Sequence, residues 1–337
     1  MRAPLRALPG MPEPRTFERD GVRIVYYDAG PKSAAPPLVL CHGFPDMAFG
    51  WRNQIAALAA RGFRVLALDQ RGYGQSDCPA AVEAYDLDAL TGDLAAMLDV
   101  AGVEKAIFVG HDWGGIVVWS LPLRQPDRVA GIVALNTPYT KRAPEDPIAI
   151  YRRRFGPRFY IVQFNENQDS DRAFEADVEK SVRFFLRRPE DAPEGVDGRA
   201  AMDTITALAA YEPDGDPRQF LSREELAVYV DAFTRTGFTP GINWYRNFTR
   251  NWAATPPGLD LVSQPALMIL SGRDQALPPS AADGMEKYVI DLEKRLLPES
   301  GHWTQQEFPD DVTNFIADWA TRRFGAPAGL APGSDGP

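Results

Sequence analysis

The stretch Ala106 to Trp119, AIFVGHDWGGIVVW, constrains this chain more than any other. A short apolar run stops at Gly110. Asp112 follows two residues later, and beyond Gly114-Gly115 begins a second apolar run too long for another short strand. The order reads as strand, sharp turn, helix. Glycines on both sides of one central residue let the turn tighten and the helix approach the strand, which pushes the central side chain out at the strand's carboxyl end. That is the layout of a nucleophile elbow, G-x-S-x-G, with Asp112 in place of the serine. A plain turn with a helix-capping Asp uses the same residues; the groups elsewhere in the chain decide for the elbow.

Around this stretch, the wholly apolar run at 38–41 has the character of a strand buried on both faces, and 64–68 reads as the next buried strand. Residues 22–27 and 131–135 add further strands, and 1–14 read as a loose lead-in. Between the strands lie helical patterns at 51–61, with Trp51, Ile55 and Leu58 on one face, and at 87–100, with Leu90, Leu94, Met97 and Leu98 on one stripe. Such alternation implies right-handed βαβ units and a mostly parallel, doubly covered sheet. Ligands then bind at the carboxyl ends of the strands, where the loops after Cys41, Val109 and Leu270 fall. The rhythm breaks at 141–254, which is helical, aromatic and rich in arginine. It resumes with a strand at 265–270, a helix at 280–288, a strand at 294–297 and a helix at 310–323. The expected organisation is a core from 1–140 and 256–325, an inserted helical cap at 141–255, and a flexible tail at 326–337.

The net charge of −10 disfavours nucleic acid and anionic membranes as partners. Cys41 and Cys78 make neither a disulfide framework nor a metal spacing, which fits a reducing, cytoplasmic setting without a metal or other cofactor. The N-terminal region carries Pro4, Pro9, Pro12 and Pro14 and no apolar segment of the kind a signal peptide needs. No stretch approaches the length of a membrane span. Monomer and homodimer are both compatible with the sequence.

Three histidines, His42, His111 and His302, all follow expected strands. His111 immediately precedes Asp112, so its side chain points elsewhere and is read as structural. His42 opens the His42-Gly43-Phe44-Pro45-Asp46 loop and is read as shaping it. His302, after the last strand, occupies the base position in the chain order nucleophile, acid, histidine. The acid is then Asp274, in the Ser271-Gly272-Arg273-Asp274 turn. The alternative acid position holds Asn136, which does not ionise, and Glu299 lies on the wrong side of the expected order. A carboxylate nucleophile displaces a leaving group at saturated carbon and becomes an ester. His302 would then activate water to hydrolyse that ester. Backbone N–H groups of Phe44 and Trp113 stand where an oxyanion hole needs them. A halide leaving group needs N–H donors, whereas an epoxide oxygen needs a proton, and a phenol suits that donation. Two tyrosine contexts lie in the insertion: Phe159-Tyr160-Ile161-Val162-Gln163-Phe164 and Asn243-Trp244-Tyr245-Arg246-Asn247.

With these contexts beside HGFPD and GHDWGG, the chain resembles an epoxide hydrolase of the soluble α/β-hydrolase type over roughly residues 15–325. The resemblance does not extend to the N-terminal phosphatase-like domain of some animal members, and no such domain is expected here. The resemblance implies an α/β-hydrolase fold with a helical cap, Asp112 as nucleophile, Asp274 and His302 as the charge-relay pair, and Tyr160 and Tyr245 as donors to the epoxide oxygen. Phe44, Trp113, Trp244, Phe164 and Trp303 are expected to line the substrate pocket. The cap arginines are read as its solvated face, so the expected substrate is a small, neutral, apolar epoxide. The competing readings are a haloalkane dehalogenase using the same nucleophile and a non-catalytic binding protein of the same fold.

Overall fold

A computed structural model describes residues 4–189, 203–258 and 261–327. The chain enters its sheet through a hairpin, β1 (Arg15–Arg19) and β2 (Val22–Ala29), turned at Asp20-Gly21. Both turn residues have positive φ, the geometry a two-residue hairpin loop requires. The sequence pattern begins the sheet only at residue 22. It misses β1 because only Phe17 of that strand is buried.

The other strands are β3 (Leu38–Cys41), β4 (Val65–Asp69), β5 (Ala106–His111), β6 (Val129–Leu135), β7 (Ala266–Ser271) and β8 (Leu292–Leu297). They form one sheet in the order β1-β2-β4-β3-β5-β6-β7-β8, parallel from β4 to β8. Alternate residues of the central strands feed two cores. Leu38, Leu40, Ile107 and Val109 face α1 (Arg52–Ala60) and the long C-terminal helix Pro309–Phe324. Val39, Cys41 and Phe108 face α2 (Leu87–Ala101) and α3 (Trp113–Arg124). A strand packed on both sides has no polar face to show, which is why the sequence runs there are wholly apolar.

From β3 the chain steps to β4 on one side and later lays β5 on the other. The carboxyl ends of β3 and β5 therefore flank a topological switch point, the usual crevice for a ligand in such a sheet. The Phe44–Pro45 peptide in the loop after β3 is cis.

Between β6 and β7 lie α4 (Pro147–Phe155), α5 (Tyr160–Glu166), α6 (Asp169–Ala176), α7 (Val178–Phe185), α8 (Thr204–Ala210), α9 (Arg223–Thr236), α10 (Thr239–Arg246) and α11 (Phe248–Ala254). They pack over the carboxyl ends of β3 and β5 through ring contacts of Phe44 with Phe164 and of Trp113 with Tyr245 and Phe248. Residues 190–202 of this insertion, and residues 328–337 of the expected tail, lie outside the described residues. After β8 come α12 (Thr304–Glu307) and α13 (Pro309–Phe324).

The helix expected at 280–288 does not form. Two short 3-10 turns, Pro279–Ala282 and Met285–Lys287, take its place. Asp283 between them is extended, and Gly284 has a left-handed φ of 81°. The apolar spacing there serves two separate turns, each too short to propagate as an α-helix.

Candidate active site

Asp112 sits at the turn between β5 and α3 with φ 53° and ψ −121°. That conformation is strained for a residue with a side chain and is held by close packing on both sides. A Cβ at Gly110 would strike the Gly114 carbonyl, and one at Gly114 would strike the Cys41 carbonyl. The two glycines thus let α3 press against the sheet and lift Asp112 above it. The Asp112 carbonyl is fastened by the Thr137 hydroxyl at 2.7 Å.

Three chain-distant groups converge on this carboxylate. The Phe44 backbone N–H donates to Asp112 Oδ1 at 2.7 Å. His302 Nε2 lies 3.8 Å from Asp112 Oδ2. His302 Nδ1 donates to Asp274 Oδ2 at 2.8 Å, which leaves Nε2 facing Asp112. Asp274 is fully engaged. Its Oδ1 accepts from the backbone N–H groups of Ala276 and Leu277 at 2.9 and 3.0 Å, and its Oδ2 also accepts from Asn136 Nδ2 at 2.7 Å.

The electrostatics follow from these contacts. Burial pushes the Asp112 carboxyl above its usual range, opposed by His302 and by the N–H groups of Phe44 and Trp113. Burial pulls His302 down, but the neighbouring Asp274 and Asp112 charges outweigh it and raise the imidazole to about 9. Burial acts against Asp274 as well, yet His302, Asn136 and the Leu277 N–H bring it down to about 2. These contacts place an imidazolium beside the Asp274 carboxylate and facing Asp112, whose charge burial opposes and His302 favours.

The other two histidines are buried neutral groups. Burial lowers His42 to about 4. The Gln70 N–H donates to its Nε2 at 3.1 Å, so its Nδ1–H faces the Gly43 carbonyl at 3.0 Å and shapes the loop before Phe44. Burial, helped by the charge of His302, lowers His111 to about 3. Its ring meets the backbone carbonyl of His302. Asn136, with φ 64°, is locked between Asp274 and the Thr304 hydroxyl. The anchoring part played by Asn136 was not legible in the sequence. The one available signal was position: His111 and Asn136 both fall at carboxyl ends of central strands, where a buried polar residue needs a partner.

Above Asp112 opens a cavity of about 990 Å³. Asp112, Trp113, Phe44, Phe164, Tyr160, Tyr245, His302 and Trp303 all line it. Trp244 does not. Consecutive helical residues point about 100° apart, so Tyr245 facing the cavity turns Trp244 away. The Trp244 ring is fully buried, against His42, Tyr73 and Trp113. The arginines also depart from expectation. Arg154, Arg187 and Arg188 of the insertion border the cavity, with Arg154 and Arg188 exposed at its rim and Arg187 lying over Phe184 and Tyr211. Long side chains lay their stems on apolar walls while the charge stays in water, so a cavity margin and a solvated face are the same place here.

Tyr160 and Tyr245 come from different helices, and their rings meet edge to face with centroids 5.8 Å apart. Burial first, then the charge of Asp112, drives both phenols far above their ordinary range, so both keep their protons. Among the described residues, no group of three or more His, Cys, Asp or Glu is arranged to hold a metal ion. No described helix is long and apolar enough to cross a membrane.

Sheet order, elbow and switch-point crevice define an α/β-hydrolase, and a family model described as alpha/beta hydrolase fold matches residues 36–309. The chain is 42% identical to epoxide hydrolase A of Mycobacterium tuberculosis over 93% of its length and 98% of that protein. It is similar in structure to epoxide hydrolase A of Mycobacterium thermoresistibile, with a TM-score of 0.80 and 38% identity over 91% of this chain and 98% of that one. It is 35% identical to the mouse bifunctional epoxide hydrolase 2 over 89% of its own length and 54% of that protein. The chain belongs to the epoxide hydrolases of the α/β-hydrolase fold.

Proposed function

We propose that this enzyme opens epoxides through a covalent ester on Asp112. Asp112 Oδ2 attacks one ring carbon, the carbon–oxygen bond breaks, and Tyr160 and Tyr245 hydrogen-bond the departing oxygen and supply its proton. The product of this step is a hydroxyalkyl ester. Phe44 and Trp113 then receive the oxyanion that forms when water adds to the ester carbonyl. The tyrosinate left by ring opening regains its proton at the expense of the resting His302 imidazolium, and the neutral His302 then takes a proton from that water, with Asp274 orienting it and stabilising the imidazolium that results. Collapse releases the vicinal diol and restores the Asp112 carboxylate.

The observation that carries this reading is the line from Asp274 through His302 to Asp112, with the Phe44 N–H already bound to the Asp112 oxygen that does not face His302. Alkylation removes the Asp112 charge, one of those that hold His302 protonated. The imidazole therefore becomes easier to deprotonate at the stage where a base is needed. In this reading residues 141–255 act as a cap over a core built from 1–140 and 256–325. The cavity wall near Asp112 is aromatic, and the arginines sit at its margin. Such a wall suits a neutral, apolar epoxide, aromatic or medium-chain aliphatic, and the negative overall charge fits a small-molecule partner and no nucleic acid.

A single turnover in 18O-labelled water tests the ester. The first diol should carry no label, because its new oxygen comes from Asp112, and the label should remain in Asp112. Label in that first diol means that water attacks the ring directly and ends the ester reading.

A further inference from the structure

The run Asn243-Trp244-Tyr245-Arg246-Asn247 holds one charged group, and the chemistry above does not use it. Arg246 is 13% exposed and its partner Asp171, on α6, is 7% exposed. A guanidinium carries five N–H donors in a rigid planar fork. Here every one has an acceptor. Nε donates to the Phe164 carbonyl at 2.9 Å. Nη1 donates to Asp171 Oδ1 at 3.0 Å and to Asn243 Oδ1 at 2.9 Å. Nη2 donates to the Asn167 carbonyl at 3.1 Å and to Asp171 Oδ2 at 2.6 Å.

The acceptors identify what is being held. The Phe164 and Asn167 carbonyls lie at the carboxyl end of α5, where a helix runs out of intrahelical donors. The first residue of α5 is Tyr160, and the residue before Arg246 on α10 is Tyr245. The fork thus ties the helix bearing one phenol to the helix bearing the other. A second tie starts from the opposite end of α10, where the Thr239 hydroxyl donates to Asp171 Oδ1 at 2.8 Å.

The rings do not fix this alignment alone. The Tyr245 ring meets the rings of Tyr160 and Phe164 by edge contacts, with centroids 5.8 and 5.0 Å apart, and beyond these the two tyrosines share one hydrogen bond between their hydroxyls. Apolar packing of that kind is largely non-directional, whereas five hydrogen bonds in one plane admit a single register.

We propose that Arg246 is a positioning residue for ring opening: it locks α10 onto the end of α5 and so fixes the Tyr160 and Tyr245 hydroxyls relative to one another. The proposal rests on the reading of those tyrosines as donors to the epoxide oxygen. Its consequence is selective, because ester hydrolysis uses His302 and Asp274 and neither tyrosine.

The test measures both half-reactions, ester formation by stopped-flow tryptophan fluorescence and ester loss in a single turnover, with thermal unfolding recorded on each variant. Arg246→Lys and Arg246→Met are made in the wild-type enzyme and in the Tyr160→Phe/Tyr245→Phe enzyme. Arg246→Met leaves Asp171 without its counter-charge, so an amide pair, Arg246→Gln with Asp171→Asn, is run beside it. Ester formation should slow by about 10- to 100-fold in the Met and amide-pair variants, the size a misplacement of about 1 Å produces. The Lys variant should fall between these and wild type, and ester hydrolysis should be unchanged in all three. With both tyrosines already replaced, the Arg246 changes should cost ester formation nothing further, as coupled positions require. Slowing of both half-reactions alike, or the same slowing with and without the tyrosines, would overturn the positioning role. A Tyr160→Phe/Tyr245→Phe enzyme that forms ester at the wild-type rate would overturn the tyrosine reading itself, and that result is obtained with Arg246 intact.

Discussion

His111 donates its Nε2–H to the backbone carbonyl of His302 at 2.6 Å. The other ring nitrogen of His111 accepts from Gln305 Nε2 at 3.3 Å, and the same amide reaches Asp46 Oδ2 at 3.3 Å. Asp46 in turn accepts from the Tyr229 hydroxyl of α9 at 2.7 Å. The proposed base is thus hung from a chain of buried polar groups that begins in the insertion. Replacing His111 by Ala strips the His302 carbonyl of its donor and should destabilise the fold by about 1–3 kcal/mol. Ester hydrolysis should slow more than ester formation, because only the former needs His302 to accept a proton. Rapid-quench measurement of the two steps checks this, and equal slowing of both would deny His111 a specific hold on the base.

The half-reactions should also separate at His302 itself. A His302→Gln enzyme keeps Asp112 and both tyrosines, so it should open the ring and then stall as the ester. Intact-protein mass spectrometry should find the substrate's mass added to nearly every molecule. Asp274→Asn should stall less completely, since it weakens the orientation and charge of the base without removing it. Unmodified protein after mixing with excess epoxide would remove His302 from its proposed role.

The sheet was legible because its central strands are buried on both faces and therefore apolar without interruption, as at 38–41 and 106–109. The convergence of Asp112, Asp274 and His302 was legible for a related reason: each follows a strand of the parallel run, and parallel strands deliver their carboxyl-end loops to one edge. What stayed hidden depends on partners far away in the chain. β1 is a strand because β2 pairs with it, although four of its five residues are not buried. Trp244 carries the same aromatic signal as Tyr245, and only the rotation of α10 decides which one faces the cavity. Asn136 read as an acid position left empty, yet it holds the Asp274 carboxylate, 138 residues away in sequence.

The two pKa shifts give the pH dependence a definite sign. Burial raises Asp112, and attack requires its carboxylate, so kcat/KM should fall as pH drops through that raised pKa. In the resting enzyme Asp274 and Asp112 together hold His302 at about 9 against the effect of burial. Once Asp112 is an ester, the imidazolium keeps Asp274 and the more weakly acting Glu307 but loses the Asp112 charge, so the His302 pKa falls below its resting value. The rate of ester hydrolysis should therefore rise with pH and level off with a midpoint under 9, set by neutral His302. Single-turnover hydrolysis followed across the pH range checks the direction. A midpoint at or above the resting value would show that the Asp112 charge is not what holds the imidazole protonated.

The sharpest prediction concerns the two phenols. Their proton affinity is raised by burial and by Asp112, so neither loses its proton at neutral pH and both stay available as donors. An epoxide oxygen leaving as an unassisted alkoxide is a poor leaving group, and the strain of the ring offsets only part of that penalty. Replacing either tyrosine by Phe keeps the aromatic packing with Phe164 and removes one donor. Ester formation should then slow by roughly 10- to 1000-fold, the range of ordinary general-acid assistance. The remaining hydroxyl still reaches the oxygen in each single variant, so the double replacement should be far slower than either alone. Trp113, whose ring lies 5.1 Å from that of Tyr245, is a natural fluorescence reporter for the step. Ester hydrolysis, measured on the small amount of ester that does form, should be the same in all three variants, because its proton passes through His302. If the double variant forms ester as fast as wild type, protonation of the oxygen does not pass through the cap, and the donor must be sought among the other groups lining the cavity.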